Sequence, residues 1–132
     1  MQVSATVFNS ADEHAVSVRT GTNRQALPIA AKPAGRGSAV NGGEFLMLAL
    51  ATCYCNDLYR EAERLGLSIE RVDVEASADF DGIGLAATNI RYRAKVASSA
   101  SEAAIADLLR RTDAVAEVHN TLRGGVPVTL VT

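Results

Sequence analysis

Alternating apolar and polar residues predict three short strands near the N-terminus, covering residues 2–8, 14–19 and 25–30. In the second of these, Val16 and Val18 are predicted to face inward. Pro28 indicates that the third strand lies at an edge, because proline has no amide hydrogen to donate to a sheet. Residues 32–43 contain Pro33 and four glycines, which predict a loop.

A long helix is predicted to follow this loop. Asn41 can cap it, with the first turn near Gly43 or Glu44. Almost every residue in Phe45–Cys55 is apolar, which is typical of a helix buried on all sides. From Asn56 the helix becomes amphipathic, and Gly66 is predicted to end it. The inward positions of this second half are Leu58, Ala62 and Leu65.

Two further strands, residues 72–80 and 88–96, are predicted to form an antiparallel pair. The outward residues of the first strand are mainly acidic and those of the second are mainly basic. Opposite charges across such a pair are favourable by roughly 0.2–1 kcal/mol each. The turn between the strands is predicted to begin at Asp81-Gly82.

The C-terminal third predicts two helices and a strand. Ser99 and Glu102 have the spacing of a capping box ahead of the first helix. Gly124-Gly125 ends a short second helix, and alternation over Val126–Val131 predicts a final strand. The inward face of the short helix is expected to carry Val115, Val118 and Leu122. We therefore expect one α+β domain over residues 1–132.

Composition narrows the range of functions. Apolar residues make up 48% of the chain and the formal charge is −2, so the chain lacks the basic excess that nucleic-acid binding requires. The longest apolar run is too short to span a membrane, and no secretory signal is apparent. We expect a cytoplasmic protein without cofactor or metal. With only six aromatic residues the single-chain core is thin, which favours a homodimer.

The two cysteines, Cys53 and Cys55, are the main chemical signal. They are too close in sequence to act as a structural disulfide, and Cys-x-Cys without a second pair is a weak zinc signal. Each is either a small apolar filler or a nucleophile. Asp57, one helical turn after Cys53, is expected to raise the pKa of that thiol. His119 is expected to be a surface histidine or one with satisfied hydrogen bonds.

Two motifs resemble the OsmC/Ohr family, which comprises the osmotically inducible and organic-hydroperoxide-resistance proteins. The segment from Asn41-Gly-Gly-Glu to Cys53-Tyr resembles the family's alanine-rich helix, which ends at a reactive cysteine. The segment Asn120-Thr-Leu-Arg-Gly-Gly resembles its second motif, ahead of the final strand. The strand pair and helix between the motifs follow the family's order, and the resemblance runs from about Gly35 to the end of the chain.

The resemblance implies an intertwined α+β homodimer with an antiparallel sheet and a long buried central helix. It also implies reduction of organic hydroperoxides. One cysteine thiolate attacks the peroxide and becomes a sulfenic acid, and a second cysteine condenses with it. An arginine and a glutamate support the first thiolate. A dithiol reductant then reduces the disulfide and restores both cysteine thiols.

Carried over residue by residue, the family's attacking cysteine falls on Cys53 and its second cysteine falls on Ala116. Glu44 is the candidate for the supporting acid, and Cys55 is a substitute resolving thiol. Arg19 and Arg24 are the candidate substrate-binding arginines, although the family's glycine-arginine motif is absent.

Three interpretations stay open at this point. The chain is a thiol-dependent hydroperoxide reductase that uses Cys53, a non-catalytic dimer that holds a small apolar ligand, or a purely structural stress-associated protein. Consumption of peroxide by the wild type, beside Cys53→Ser and Cys55→Ser, discriminates between the first interpretation and the other two.

Overall fold

The computed structural model describes all 132 residues, which divide into two compact units, residues 1–45 and 46–132. The first unit is a three-stranded antiparallel sheet. Its strands, in spatial order, are β1 (Val3–Asn9), β2 (His14–Thr20) and β3 (Asn23–Leu27). All three strands are present and β3 lies at an edge as predicted, but its predicted range of 25–30 is wrong, because β3 ends just before Pro28, which cannot extend the ladder of hydrogen bonds. The extent of the domain as 1–132 stays a prediction.

The long helix, α1, covers Gly42–Arg64, and the boundary between the two units falls within its first turn. It begins with a capping box, in which the Asn41 side-chain oxygen accepts from the Glu44 amide at 2.8 Å. The Glu44 carboxylate accepts from the Asn41 amide at 2.8 Å in return. Gly66 ends the helix at φ +70°, a left-handed conformation that favours glycine. The predicted start and end of α1 are therefore confirmed to within two residues.

The second unit contains two antiparallel strands and two further helices beside α1. Their bounds are β4 (Arg71–Asp79), β5 (Thr88–Ala97), α2 (Glu102–Val115) and α3 (Glu117–Arg123). The expected charge pairing is confirmed, because Asp73 lies opposite Lys95 and Glu75 lies opposite Arg93. The Glu75 and Arg93 side chains form an ion pair at 2.9 Å. Inward and outward side chains alternate along β4, so that Val72 and Val74 pack against the core.

The core of the second unit lies where one face of α1 meets α2 and the strand pair. Leu58 of α1 and Leu108 of α2 have no exposed surface. Burying a leucine side chain contributes roughly 1.5–3 kcal/mol, so these two residues help to fix the helices against each other. Tyr54 adds a hydrogen bond from its hydroxyl to the Leu109 carbonyl oxygen at 2.8 Å. The buried cluster consists of Tyr54, Leu58, Ala62, Leu108 and Ala116.

Three further predictions of local structure are wrong. Ser101, not Ser99, caps α2, and its hydroxyl accepts from the Ala104 amide at 3.1 Å. Residues Val126–Val131 form no strand, because a strand requires a hydrogen-bonded neighbour and the chain supplies none there. The segment Phe45–Cys55 is not buried on all sides, since Leu48 is 56% exposed within a single chain. The core covers only the helix face that carries Leu50 and Tyr54.

None of the helices combines the length and the apolar character needed to cross a bilayer.

Candidate functional site

Cys53 lies half-buried on α1 and contacts the first turn of α3. Its Sγ atom is 3.5 Å from Oδ2 of Asp57, one helical turn further along α1. Oε2 of Glu117, at the start of α3, is 3.9 Å from the same sulfur. The thiol can donate only one hydrogen, and the shorter contact indicates Asp57 as its acceptor. Two carboxylates therefore border the thiol.

Burial raises the pKa of the Cys53 thiol, and the negative charges of Asp57 and Glu117 raise it further. The hydrogen bond from the Val118 backbone amide acts in the opposite direction and is outweighed. Cys53 is consequently a protonated thiol at neutral pH within a single chain. The expectation that Asp57 raises the pKa of this thiol is confirmed.

The carboxylates are linked by Arg60, whose Nη1 atom is 2.9 Å from Oδ1 of Asp57 and 3.6 Å from Oε1 of Glu117. Asp57 is 5% exposed, and its burial raises the pKa of the carboxyl, with a further increase from the charge of Glu117. The pKa of Glu117 is lowered, first by its own backbone amide and then by Arg60. Asp57 therefore holds a proton more readily than an ordinary aspartate, although Arg60 opposes this effect.

The ligand atoms of Cys53, Asp57 and Glu117 lie within 4.8 Å of one another, a spacing that suits a metal ion. Zinc would require the Cys53 thiolate, whereas burial and the two carboxylates favour the protonated thiol. The guanidinium of Arg60 already forms ion pairs with both carboxylates. The arrangement is therefore better suited to moving a proton than to holding a cation.

The other predicted site residues lie in different surroundings. Glu44 is exposed and forms the capping box with Asn41, so its position has a structural explanation. Arg19 donates to the Gly21 carbonyl oxygen and Arg24 to the Ser17 hydroxyl, both within the first unit. Cys55 is half-buried and free, and it forms no disulfide with Cys53. Ala116, at the position of the family's second cysteine, is fully buried between α2 and α3.

Sequence reasoning missed two members of the site, Arg60 and Glu117. Arg60 follows Cys53 by seven residues and Asp57 by three, so helical spacing alone places all three on one face. That periodic signal was sufficient to find Arg60. Glu117 is 64 residues from Cys53 in sequence, and only the packing of α3 beside α1 brings the two together.

The prediction that His119 lies at the surface or has satisfied hydrogen bonds is wrong. His119 is 3% exposed, whereas its neighbours Val115 and Leu122, predicted to face inward, are 40% and 39% exposed. Both ring nitrogens of His119 lack a hydrogen-bond partner. The ring packs against Tyr92 and Tyr54, with centroid separations of 4.4 and 5.7 Å. Aromatic packing, rather than hydrogen bonding, orients this residue.

Antiparallel strands and three helices place the chain in the α+β class. The sequence model of the OsmC-like protein family matches residues 35–131. The chain therefore belongs to the OsmC-like family. Among curated proteins, no sequence matches the chain.

Several solved structures share the fold. An OsmC-like protein from Mycoplasma pneumoniae is 20% identical, with 100% of this chain and 99% of that chain covered and a TM-score of 0.67. The organic hydroperoxide resistance protein OsmC from Legionella pneumophila is 17% identical, with coverages of 98% and 95% and a TM-score of 0.62. An organic hydroperoxide resistance protein from Elizabethkingia anophelis is 15% identical, with coverages of 97% and 92% and a TM-score of 0.63. At these identities the likeness establishes the fold alone.

Proposed function

We propose that this OsmC-like protein reduces organic hydroperoxides, with Cys53 as the attacking thiol and Asp57 as the group that accepts its proton. The observation that carries the proposal is the 3.5 Å contact between the Cys53 sulfur and the Asp57 carboxylate. Attack requires a thiolate, and the raised pKa of Asp57 makes that carboxylate a stronger base than an ordinary aspartate. Two proteins of similar fold are organic hydroperoxide resistance proteins, which supports the choice of substrate class.

The proposed reaction balances with these groups alone. The Cys53 sulfur attacks the terminal oxygen of R–O–O–H, and the O–O bond breaks with its electron pair going to the RO oxygen. The thiol proton passes through Asp57 to that oxygen, giving R–OH and Cys53 sulfenic acid. Arg60 holds Asp57 in place through the 2.9 Å ion pair.

The resetting step requires an external thiol. Ala116 offers no sulfur, and Cys55 is two residues from Cys53 on α1, where side chains project to different sides. A thiol reductant R′SH therefore condenses with the sulfenic acid, releasing water. A second R′SH then frees Cys53 as R′SSR′ forms. We propose that the reaction takes place in the cytoplasm, where thiols are kept reduced.

We also propose that the working form is a homodimer. Leu48 on α1 is 56% exposed, and the apolar segment ending the chain contains Val128 at 99% and Leu130 at 87%. Exposed apolar surface of this kind marks interaction sites, and a second copy can offer the strand partner that Val126–Val131 lacks.

The test of the activity is consumption of cumene hydroperoxide by purified protein with a small thiol or a dithiol as reductant. We expect turnover in the wild type and in Cys55→Ser, and none above background in Cys53→Ser. Equal rates in Cys53→Ser and the wild type would remove the proposal.

A further inference from the structure

Of the two carboxylates beside the Cys53 sulfur, only that of Glu117 is open to solvent. The Glu117 side chain is 68% exposed, whereas Asp57 is buried. Oε2 of Glu117 lies 3.9 Å from Sγ of Cys53. Any molecule that reacts at this half-buried sulfur therefore comes close to the charge of Glu117.

The charge of Glu117 is only partly offset by its neighbours. The pKa of Glu117 is lowered, first by its own backbone amide and then by Arg60, so the carboxylate is ionised at neutral pH. Arg60 lies 3.6 Å from Glu117, but the same guanidinium is nearer to Asp57, at 2.9 Å, and to Glu61, at 3.1 Å. Arg64 also pairs with Glu61. Three carboxylates thus share two guanidiniums, which leaves an excess of negative charge near the sulfur.

The Cys53 thiol reports the sign of the potential at this position. After burial, the negative charges of Asp57 and Glu117 raise its pKa, which means that they disfavour the anionic form of the sulfur. The same charges repel an anionic group on any molecule that approaches the sulfur. Between exposed charges about 8 Å apart, such repulsion changes a rate by roughly two- to fivefold.

We infer that Glu117 selects hydroperoxides that carry no negative charge near the O–O group. This inference rests on hydroperoxide reduction as the function of the site. In that reaction the Cys53 sulfur bonds to the terminal oxygen, the O–O bond breaks, and the RO oxygen leaves with the thiol proton. An anionic substituent on R is brought toward Glu117 as the sulfur and the terminal oxygen meet. Glu117 therefore determines the charge of the substrate, whereas Asp57 accepts the proton.

The test compares two matched pairs of reagents in Cys55→Ser protein. Iodoacetamide and iodoacetate both alkylate sulfur with loss of iodide, and only iodoacetate is an anion. Cumene hydroperoxide and its para-carboxylate derivative form the second pair. We expect Glu117→Gln to raise the rate of the anionic member relative to the neutral one by about two- to fivefold at 0.1 M salt, and by less at 1 M salt. A changed thiol pKa alters both members of a pair equally, so the ratio isolates the effect of charge on the reagent.

Glu63→Gln is the matched control. It removes a negative charge from another exposed position on α1, about 15 Å along the helix axis from Cys53, which exceeds the Debye length of about 10 Å at 0.1 M salt. Its ratios should equal those of the protein with Glu63 and Glu117 intact. That protein should itself react relatively faster with iodoacetate as salt is added.

An alkylation ratio that is the same with and without Glu117 overturns the inference, as does a ratio that changes equally in Glu63→Gln and Glu117→Gln. A hydroperoxide ratio unaffected by Glu117→Gln also overturns it. If Cys53 reacts with neither hydroperoxide, the proposed function fails and the substrate class fails with it. The alkylation pair separates these outcomes, because it measures repulsion by Glu117 without any peroxide.

Discussion

The Sγ atom of Cys53 lies 3.5 Å from Oδ2 of Asp57, one turn further along the same helix. This contact has two opposite consequences for the thiol. The negative charge contributes to the raised pKa of Cys53 and so lowers the fraction of thiolate. The same carboxylate is the nearest acceptor for the proton that must leave before attack. Replacing Asp57 separates the two effects.

Asp57→Asn is expected to change two reactions of Cys53 in opposite directions, measured in a Cys55→Ser background. Iodoacetamide needs only the thiolate, so its rate at pH 7.5 should rise about threefold or more when the negative charge is removed. The rate with cumene hydroperoxide should fall about tenfold or more, because the leaving alkoxide loses its proton source. Stopped-flow measurement of both rates checks the prediction.

Glu117→Gln is the matched control for Asp57→Asn. It also removes one negative charge near the sulfur, but the carboxylate is exposed and lies 3.9 Å away. Both rates should therefore rise together, by less than the rise in alkylation that Asp57→Asn produces. A peroxide rate that rises in both variants would show that Asp57 acts only through its charge.

Leu58→Ala is expected to lower the free energy of unfolding by about 2–5 kcal/mol, because Leu58 has no exposed surface and a cavity would remain. Urea denaturation followed by circular dichroism measures the change. Leu85→Ala is the control, since Leu85 is 62% exposed and its loss should cost no more than about 0.5 kcal/mol. Equal losses in the two variants would contradict the position of the core.

Asp113 is expected to make stability sensitive to acid. Hydrogen bonds from Arg123 and then from Tyr92 lower the pKa of Asp113, so its folded-state value lies below the unfolded one. Its contribution to stability is therefore complete above about pH 4 and is lost as the pH falls further. Asp113→Asn should flatten the decline of Tm below that pH.

Asp107→Asn serves as the control for Asp113→Asn. The pKa of Asp107 is also lowered, first by Arg111, but its partners Arg110 and Arg111 are exposed arginines whose ion pairs solvent screens, whereas Asp113 also accepts a hydrogen bond from the Tyr92 hydroxyl. A smaller effect on Tm is expected. An acid profile of Asp113→Asn identical to that of the wild type would reject the role of Asp113.

The homodimer is expected to be stable at micromolar concentration. Light scattering should give twice the chain mass of 13.8 kDa, and removal of residues 126–132 should weaken association because it removes the exposed apolar segment. A monomer mass for the full chain would contradict the proposal.

Local patterns predicted most of the fold. Alternation located all five strands that the structure contains, and the cap residue Asn41 and the terminating Gly66 located the ends of α1. The pattern failed at Val126–Val131, where alternation was present without a strand to pair with. A periodic pattern indicates what a segment can form, but hydrogen-bonded partners decide whether it does.

The candidate site was less predictable than the fold. Cys53 and its neighbour Asp57 follow from helical spacing, but Glu117 and the burial of His119 depend on how α3 packs against α1 and β5. Val115 at the end of α2 and Leu122 in α3 were expected to point inward, yet the aromatic contacts with Tyr92 and Tyr54 place His119 there instead. Such long-range packing has no signature in a single sequence.

The most direct test of the central claim is to identify which cysteine becomes a sulfenic acid. The wild-type protein is treated with one equivalent of cumene hydroperoxide in the presence of a sulfenic-acid trap, and the labelled peptide is sequenced by mass spectrometry. The account predicts label on Cys53, retained in Cys55→Ser. Label on Cys55 alone, or on neither cysteine, would contradict it.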